Sequence, residues 1–266
     1  MMYCMTIHEG RLTDETFWDE YWSSVSLPVT LDLADPATRS LAGEIQRRLL
    51  TNLGSPQGKS LVEIGCAPGR WLEFFHRLGF SVAGIESAPR AGEITRRNLE
   101  VLGIDAVIYE ADALQLPEKQ SELGQSFDCV LSLGLVEHFE DPSAIIEVHR
   151  WLAKPGGLIL IGVPNYRGLS GFFQKLLDTE WLNYHNTSVM SPRALFVLGK
   201  KGGLVPVDFT YTGGFDPNLY NWKRRSIVGY LLTRTGKLLR KIPTADALQS
   251  RHFSSYLLVS FRSPEH

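Results

Sequence analysis

Cysteine is scarce in this 266-residue sequence: Cys4, Cys66 and Cys129 stand far apart and are odd in number. That argues against a disulfide framework and against a structural zinc site built on spaced thiolates. No run of about 18 apolar residues occurs, so no membrane span is expected. The opening Met-Met-Tyr-Cys-Met-Thr-Ile-His-Glu-Gly lacks the apolar centre of a secretory signal, and a reducing cytoplasm is the expected compartment. Neither sign of charge dominates. Lys and Arg number 27 against 29 Asp and Glu, a formal net charge of −2, so a chain-wide basic footprint for nucleic acid is missing. There is no repeat and no low-complexity tract.

What is present is a rhythm. From Ser60, short apolar runs alternate with amphipathic stretches. Strands are expected at 60–64, 81–85, 106–109, 127–133 and 158–163, and helices at 70–78, 90–102 and 142–152. This alternation predicts an α/β fold with a mainly parallel sheet and helices on both faces; about five units are too few for an eight-fold barrel. Upstream, apolar Leu41, Ile45, Leu49 and Leu50 have helical spacing, giving a helix over about 36–50. Downstream come a helix at 191–201 and strands at 205–211 and 254–261, separated by far more chain than a hairpin turn uses.

The stretch that carries chemistry is Leu61-Val-Glu-Ile-Gly65-Cys-Ala-Pro-Gly69-Arg. It follows a strand and opens a helix, where glycines let the backbone approach a ligand and free N–H groups meet an anion. A dinucleotide fingerprint starting at Gly65 would need glycines at 67 and 70, where Ala67 and Arg70 stand. The nearest phosphate loop, Gly54 to Ser60, is one residue short and lies before the strand. What remains, Glu-x-Gly-x-x-x-Gly, resembles the first motif of class I S-adenosylmethionine (SAM) methyltransferases. The rest of the series follows in order. Glu86 ends the second strand, Asp112 follows the third, Val136-Glu137-His138 with Asp141-Pro142 follows the fourth, and Pro155-Gly156-Gly157 precedes the fifth. These segments look like the small-molecule, ubiquinone-biosynthesis-like members of the type 11 and type 23 methyltransferase families. The resemblance is close over 61–165 and loose over 191–261. Glu86 stands where Asp is more frequent.

That resemblance implies one Rossmann-like domain over 1–266, with a seven-stranded sheet whose last strand is antiparallel and lies between the fifth and the sixth. Residues 1–59 would form a helical cap, 60–165 the SAM-binding core, and 166–266 the C-terminal half, with substrate-side insertions at 164–203 and 214–251. It also implies a SAM cofactor, leaving as S-adenosylhomocysteine (SAH). Glu63, Gly65, Cys66, Ala67 and Gly69 would surround its methionine end, Glu86 would meet its ribose and Asp112 its adenine, with Ser87, Ala113 and Leu133 as further cofactor-binding residues. Cys66 reads as a small backbone-contact residue more than as a nucleophile.

Methyl transfer from a sulfonium is an in-line displacement that disperses charge, so alignment and exclusion of water supply much of the rate. A base is needed only if the acceptor must lose a proton. His138 and His185 are the candidates. His138 reads more readily as a residue packed over the cofactor or capping a helix, and His185 as a structural hydrogen-bonding group. No metal-ligand spacing is visible and no metal is expected. Trp18, Tyr21 and Trp22, with Trp181 and Tyr184, are candidate acceptor-pocket residues. Phe17-Trp-Asp-Glu-Tyr-Trp22 resembles the Trp-Asp-x-x-Tyr segment that closes over SAM in relatives, one residue shorter here; a helix packing its aromatics on the sheet reads as well.

Residues 223–241 hold seven of the 27 basic residues and no acid, leaving 20 basic against 29 acidic residues elsewhere. They point to an anionic partner or peripheral membrane contact, or to a helix with a solvated basic side. The expected acceptor is a small molecule or lipid-like compound rather than nucleic acid, since no Asn/Asp-Pro-Pro-Tyr/Phe tetrapeptide follows the fourth strand. Two other readings stay open: a methyltransferase-like binding module without turnover, and a SAM-using transfer of another group. The oligomeric state is not legible.

Overall fold

The computed structural model describes residues 10–177, 179–214 and 249–265. The basic stretch 223–241 and nearly all of the 214–251 insertion lie outside the described residues. The strands are β1 (Ser60–Ile64), β2 (Ser81–Glu86), β3 (Val107–Glu110), β4 (Phe127–Leu133), β5 (Ala153–Pro164), β6 (Val205–Thr212) and β7 (Tyr256–Arg262). The helices are α1 (Glu15–Trp22), α2 (Pro36–Leu53), α3 (Arg70–Leu78), α4 (Pro89–Val101), α5 (Leu116–Lys119), α6 (Ser143–Leu152), α7 (Leu169–Leu177), α8 (Thr179–Leu182) and α9 (Pro192–Lys201).

The sheet runs β3-β2-β1-β4-β5-β7-β6. β1 to β5 are parallel, and β7 is antiparallel to both neighbours. The expected insertion of the last strand between the fifth and sixth is therefore observed. Alternate residues of each strand face opposite layers. Leu158 and Leu160 of β5 and Leu258 of β7 pack with α2 and α3, through Ile45, Leu49, Leu72 and Phe75. Ile159 and Ile161 of β5 and Leu257, Val259 and Phe261 of β7 pack with α6 and α9. Both faces are buried, which is why these strands read as continuous apolar runs and not as alternating ones.

Several boundaries differ from the sequence reading. α2 continues to Leu53, and β3 begins at Val107. β5 starts at Ala153, so Pro155-Gly156-Gly157 is not a separate turn; it sits in a register shift opposite Phe127 and Cys129. α2 is tied to the β7-β6 edge of the sheet by Arg48, whose buried guanidinium meets Glu44, Asp208 of β6 and Ser260 of β7. A charge this deep is tolerated because Nε and Nη1 both find oxygens, two of them on carboxylates.

The seat of α9 on β7 depends on Gly199. A Cβ there would overlap the ring of Phe261. Replacing Gly199 with Ala should cost about 1–3 kcal/mol through overpacking, outweighing the gain in helix propensity. Denaturant unfolding should show a lower midpoint with an unchanged slope.

Candidate active site

The chain leaves β1 at the carboxyl edge of the sheet and must turn sharply into α3. Gly65 and Gly69 both adopt positive φ, +75° and +88°, which disfavour any side chain. The Gly65 N–H donates to the Ile85 carbonyl at 2.8 Å, and the Gly69 N–H to the Cys66 carbonyl at 2.7 Å. Pro68 lies before the helix, so its missing N–H costs no helical bond.

Beside this loop opens a cavity of about 340 Å³. Of the residues expected at a cofactor, Glu63, Gly65, Ala67, Glu86, Ser87, Asp112, Ala113 and Leu133 line it. Cys66 and Gly69 do not. The Cys66 side chain turns into the core, where it occupies the space beside Gly84, and Gly69 packs on Thr95 and Leu99 of α4. Their contribution is to the path of the loop.

The carboxylates come together because they sit at or beyond the ends of adjacent parallel strands. The Glu86 Oε2 accepts from the Ala67 N–H at 3.3 Å, and its Oε1 from the Ala88 N–H at 3.1 Å. Burial raises its pKa to about 6, against the pull of those N–H groups. Glu63 is pushed well above the carboxylate range by burial and by the neighbouring Glu86 charge, opposed by Arg70. Its Oε2 is buried with no hydrogen-bond partner among the described residues. Asp112 accepts from the Leu114 N–H at 2.9 Å and is ion-paired with Arg11.

Arg11 is a lining residue that motif reasoning missed. It precedes α1 in an arm held by Leu12 N–H to the His138 carbonyl (2.8 Å) and Glu140 N–H to the Gly10 carbonyl (2.7 Å). Its guanidinium also lies 5.5 Å from the Phe139 ring centre. Further along the arm, Asp19 accepts from the Ala91 N–H at 2.9 Å. Trp18 and Trp22 line the cavity, and Arg70 stands 6.0 Å from the Trp22 ring. Tyr21, Trp181 and Tyr184 do not line it; they belong to an aromatic cluster around Phe17. The cavity continues to Thr30, Leu31 and Asp32, to Thr38 and Leu41 of α2, and to Tyr256 of β7. None of these carried a motif signal, because they come from three separated parts of the chain.

His138 and His185 stand together, ring centres 4.6 Å apart, but neither lines the cavity. His138 Nδ1 bonds the Tyr184 carbonyl at 2.8 Å, and His185 Nδ1 the Trp181 carbonyl at 2.9 Å. Burial lowers the pKa values to about 3 and about 4, helped for His138 by His185, so both are neutral near pH 7. The carboxyl of Glu137 completes the cluster. Both its oxygens are buried without a hydrogen-bond partner among the described residues, Oε1 lying 3.9 Å from His138 Nε2, and burial raises its pKa to about 8. The ligand atoms of these three residues lie within 4.8 Å of one another, close enough to hold a metal ion. The sequence showed no such group, because His185 is far from the Glu137-His138 pair along the chain.

A family profile described as a methyltransferase domain matches residues 37–208. The chain belongs to that family. It is a class I SAM-dependent methyltransferase, an enzyme. The ubiquinone biosynthesis O-methyltransferase of Cereibacter sphaeroides is 34% identical over 181 residues, covering 65% of this chain and 71% of the relative. Two solved structures share the methyltransferase's fold. A SAM-dependent methyltransferase from Archaeoglobus fulgidus has a TM-score of 0.54 at 16% identity, covering 83% of this chain and 94% of its own. Phosphoethanolamine N-methyltransferase 2 of Haemonchus contortus, solved with SAH, has a TM-score of 0.55 at 15% identity, covering 84% of this chain and 52% of its own. No helix among the described residues is long and apolar enough to cross a membrane.

The Arg11–Asp112 pair is mostly shielded, with side chains 19% and 22% exposed. Arg11→Ala should loosen the methyltransferase's arm at a cost of about 1 kcal/mol or less to global stability. Limited chymotrypsin digestion at Phe17 and Trp18 should quicken while the thermal midpoint hardly moves.

Proposed function

We propose that this methyltransferase moves the methyl group of SAM to a small-molecule acceptor bound in the same cavity. The observation that carries the reading is the meeting, in one cavity, of the glycine turn with three acids from the ends of β1, β2 and β3. The donor set fits SAM. The buried, unpartnered Oε2 of Glu63 suits the amino-acid ammonium, Glu86 offers two acceptor oxygens to ribose hydroxyls, and Asp112 an acceptor to the adenine amino group. SAM, when bound, supplies an activated methyl on a sulfonium; the protein aligns the acceptor and keeps water out.

The acceptor end is assigned to Thr30, Asp32, Thr38, Leu41 and Tyr256. The relatives named for ubiquinone biosynthesis act by O-methylation, which supports a hydroxyl-bearing acceptor. His138 and His185 sit behind the lining and are neutral near pH 7, which favours a supporting role over direct proton abstraction. The basic stretch 223–241 is assigned to an anionic acceptor or a membrane surface, and its binding to acidic liposomes should weaken with salt.

Incubation with SAM and a panel of phenols, catechols and amines tests the reading. SAH should form together with a product that carries a methyl group in place of one acceptor hydrogen. SAM binding without SAH formation across the panel would favour the binding-module reading, and SAH-free conversion of SAM the transfer of another group.

Glu86 makes the cofactor site pH-dependent. Ribose hydroxyls need the ionised carboxylate, so with a pKa near 6 SAM affinity should fall about tenfold between pH 7 and pH 5. On folding the sign is opposite: the raised pKa favours the folded chain in acid, and that contribution is lost as pH rises through about 6. Glu86→Ala should cost roughly 1.5–3 kcal/mol of SAM binding at pH 7 and abolish the pH dependence, as read by calorimetry.

A further inference from the structure

Asn98 belongs to no motif and does not line the cavity, yet it touches two segments that build it. It sits on α4, fully buried, facing the glycine loop. Its Nδ2 donates to the Val29 carbonyl and to the Pro68 carbonyl, both at 2.9 Å. Its Oδ1 accepts from the Val29 N–H at 2.7 Å. Both amide hydrogens and the amide oxygen are thus used, and only this orientation of the amide satisfies all three partners.

The partners are what matter. Pro68 lies in the glycine turn between Ala67, which lines the cavity, and Gly69. Val29 immediately precedes Thr30, Leu31 and Asp32, which line it too. The 29–32 segment has no regular secondary structure, so Asn98 supplies the hydrogen bonds that a neighbouring strand would otherwise give it. Asn98 is itself held in register, because Gly69 packs against Thr95 and Leu99 of the same helix.

We propose that Asn98 is a positioning residue that sets the 29–32 wall against the glycine loop, so that cofactor binding in the loop and ordering of the wall are coupled. The inference rests on the reading of the loop as the SAM site. In Asn98→Ala all three bonds are lost and two carbonyls and one N–H are left unpaired. In Asn98→Asp the acceptor for the Val29 N–H is kept and both donors are lost.

The test is SAM and SAH titration by calorimetry on the wild-type chain, Asn98→Ala, Asn98→Asp and, as a destabilised control remote from the cavity, Gly199→Ala. Both Asn98 variants should bind at least tenfold more weakly, while the control binds as the wild type does. Should Asn98→Ala fail to fold, Asn98→Asp decides. Hydrogen exchange supplies the second readout: SAH should slow the amides of residues 29–32 in the wild type and leave them fast in Asn98→Asp. Variants that bind within twofold of wild type, with residues 29–32 still protected by SAH, would overturn the role of Asn98. A wild-type chain that binds neither SAM nor SAH would instead overturn the cofactor reading itself.

Discussion

Glu63 and Glu86 are kept largely out of water side by side, one within β1 and one at the end of β2, and the site is organised around what that costs. Burial raises the pKa of both carboxyls, and a nearby like charge raises each further, Glu86 acting on Glu63 and Asp19 on Glu86. The fold offsets the cost for Glu86 with backbone N–H groups from Ala67 and Ala88. For Glu63 it offers only the field of Arg70 and leaves one oxygen without a partner. A site whose carboxyls ionise only at a cost, one of them with an unpartnered oxygen, is prepared for a cationic or hydrogen-bond-donating ligand, and SAM is both.

The same constraint explains why the walls are built from distant pieces. A parallel sheet buried on both faces can open to ligand only along its carboxyl edge. The cover must come from elsewhere in the chain: the Arg11 arm, the 29–32 segment hung on Asn98, the start of α2, and Tyr256 at the entry of β7. The first three are secured by polar bonds to the core. Arg11 binds Asp112, Asn98 binds Val29, and Ser40 of α2 meets the Thr212 hydroxyl at 3.0 Å.

Legibility in the sequence followed locality. Strands buried on both faces announced themselves as apolar runs, and β1 and β2 end within a residue of where the pattern placed them. The glycine turn was legible because its positive φ angles demand glycine whatever the surroundings. Glu86 and Asp112 were legible because Glu86 closes its strand and Asp112 follows just after its own. Pro155-Gly156-Gly157 was read as a turn preceding the fifth strand, since only pairing with β4 shows that the chain bulges there and continues as strand. Cys66 was expected as a backbone-contact residue; that its side chain turns inward beside Gly84 is visible only in the packing.

The order of chemistry along one edge was thus determined by the sequence itself: a glycine turn, then an acid after each successive strand, spaced by the lengths of the intervening helices. Those signals are local, and local backbone geometry enforces them. Tertiary structure alone decided which residues close the cavity and which stand behind it. It brought Arg11 to Asp112, Asn98 to both Val29 and Pro68, and His185 to Glu137 and His138. Such pairs are separated along the chain by helices and strands whose packing, set by the two buried faces of the sheet, determines which loop ends meet, and no spacing in the sequence records that meeting.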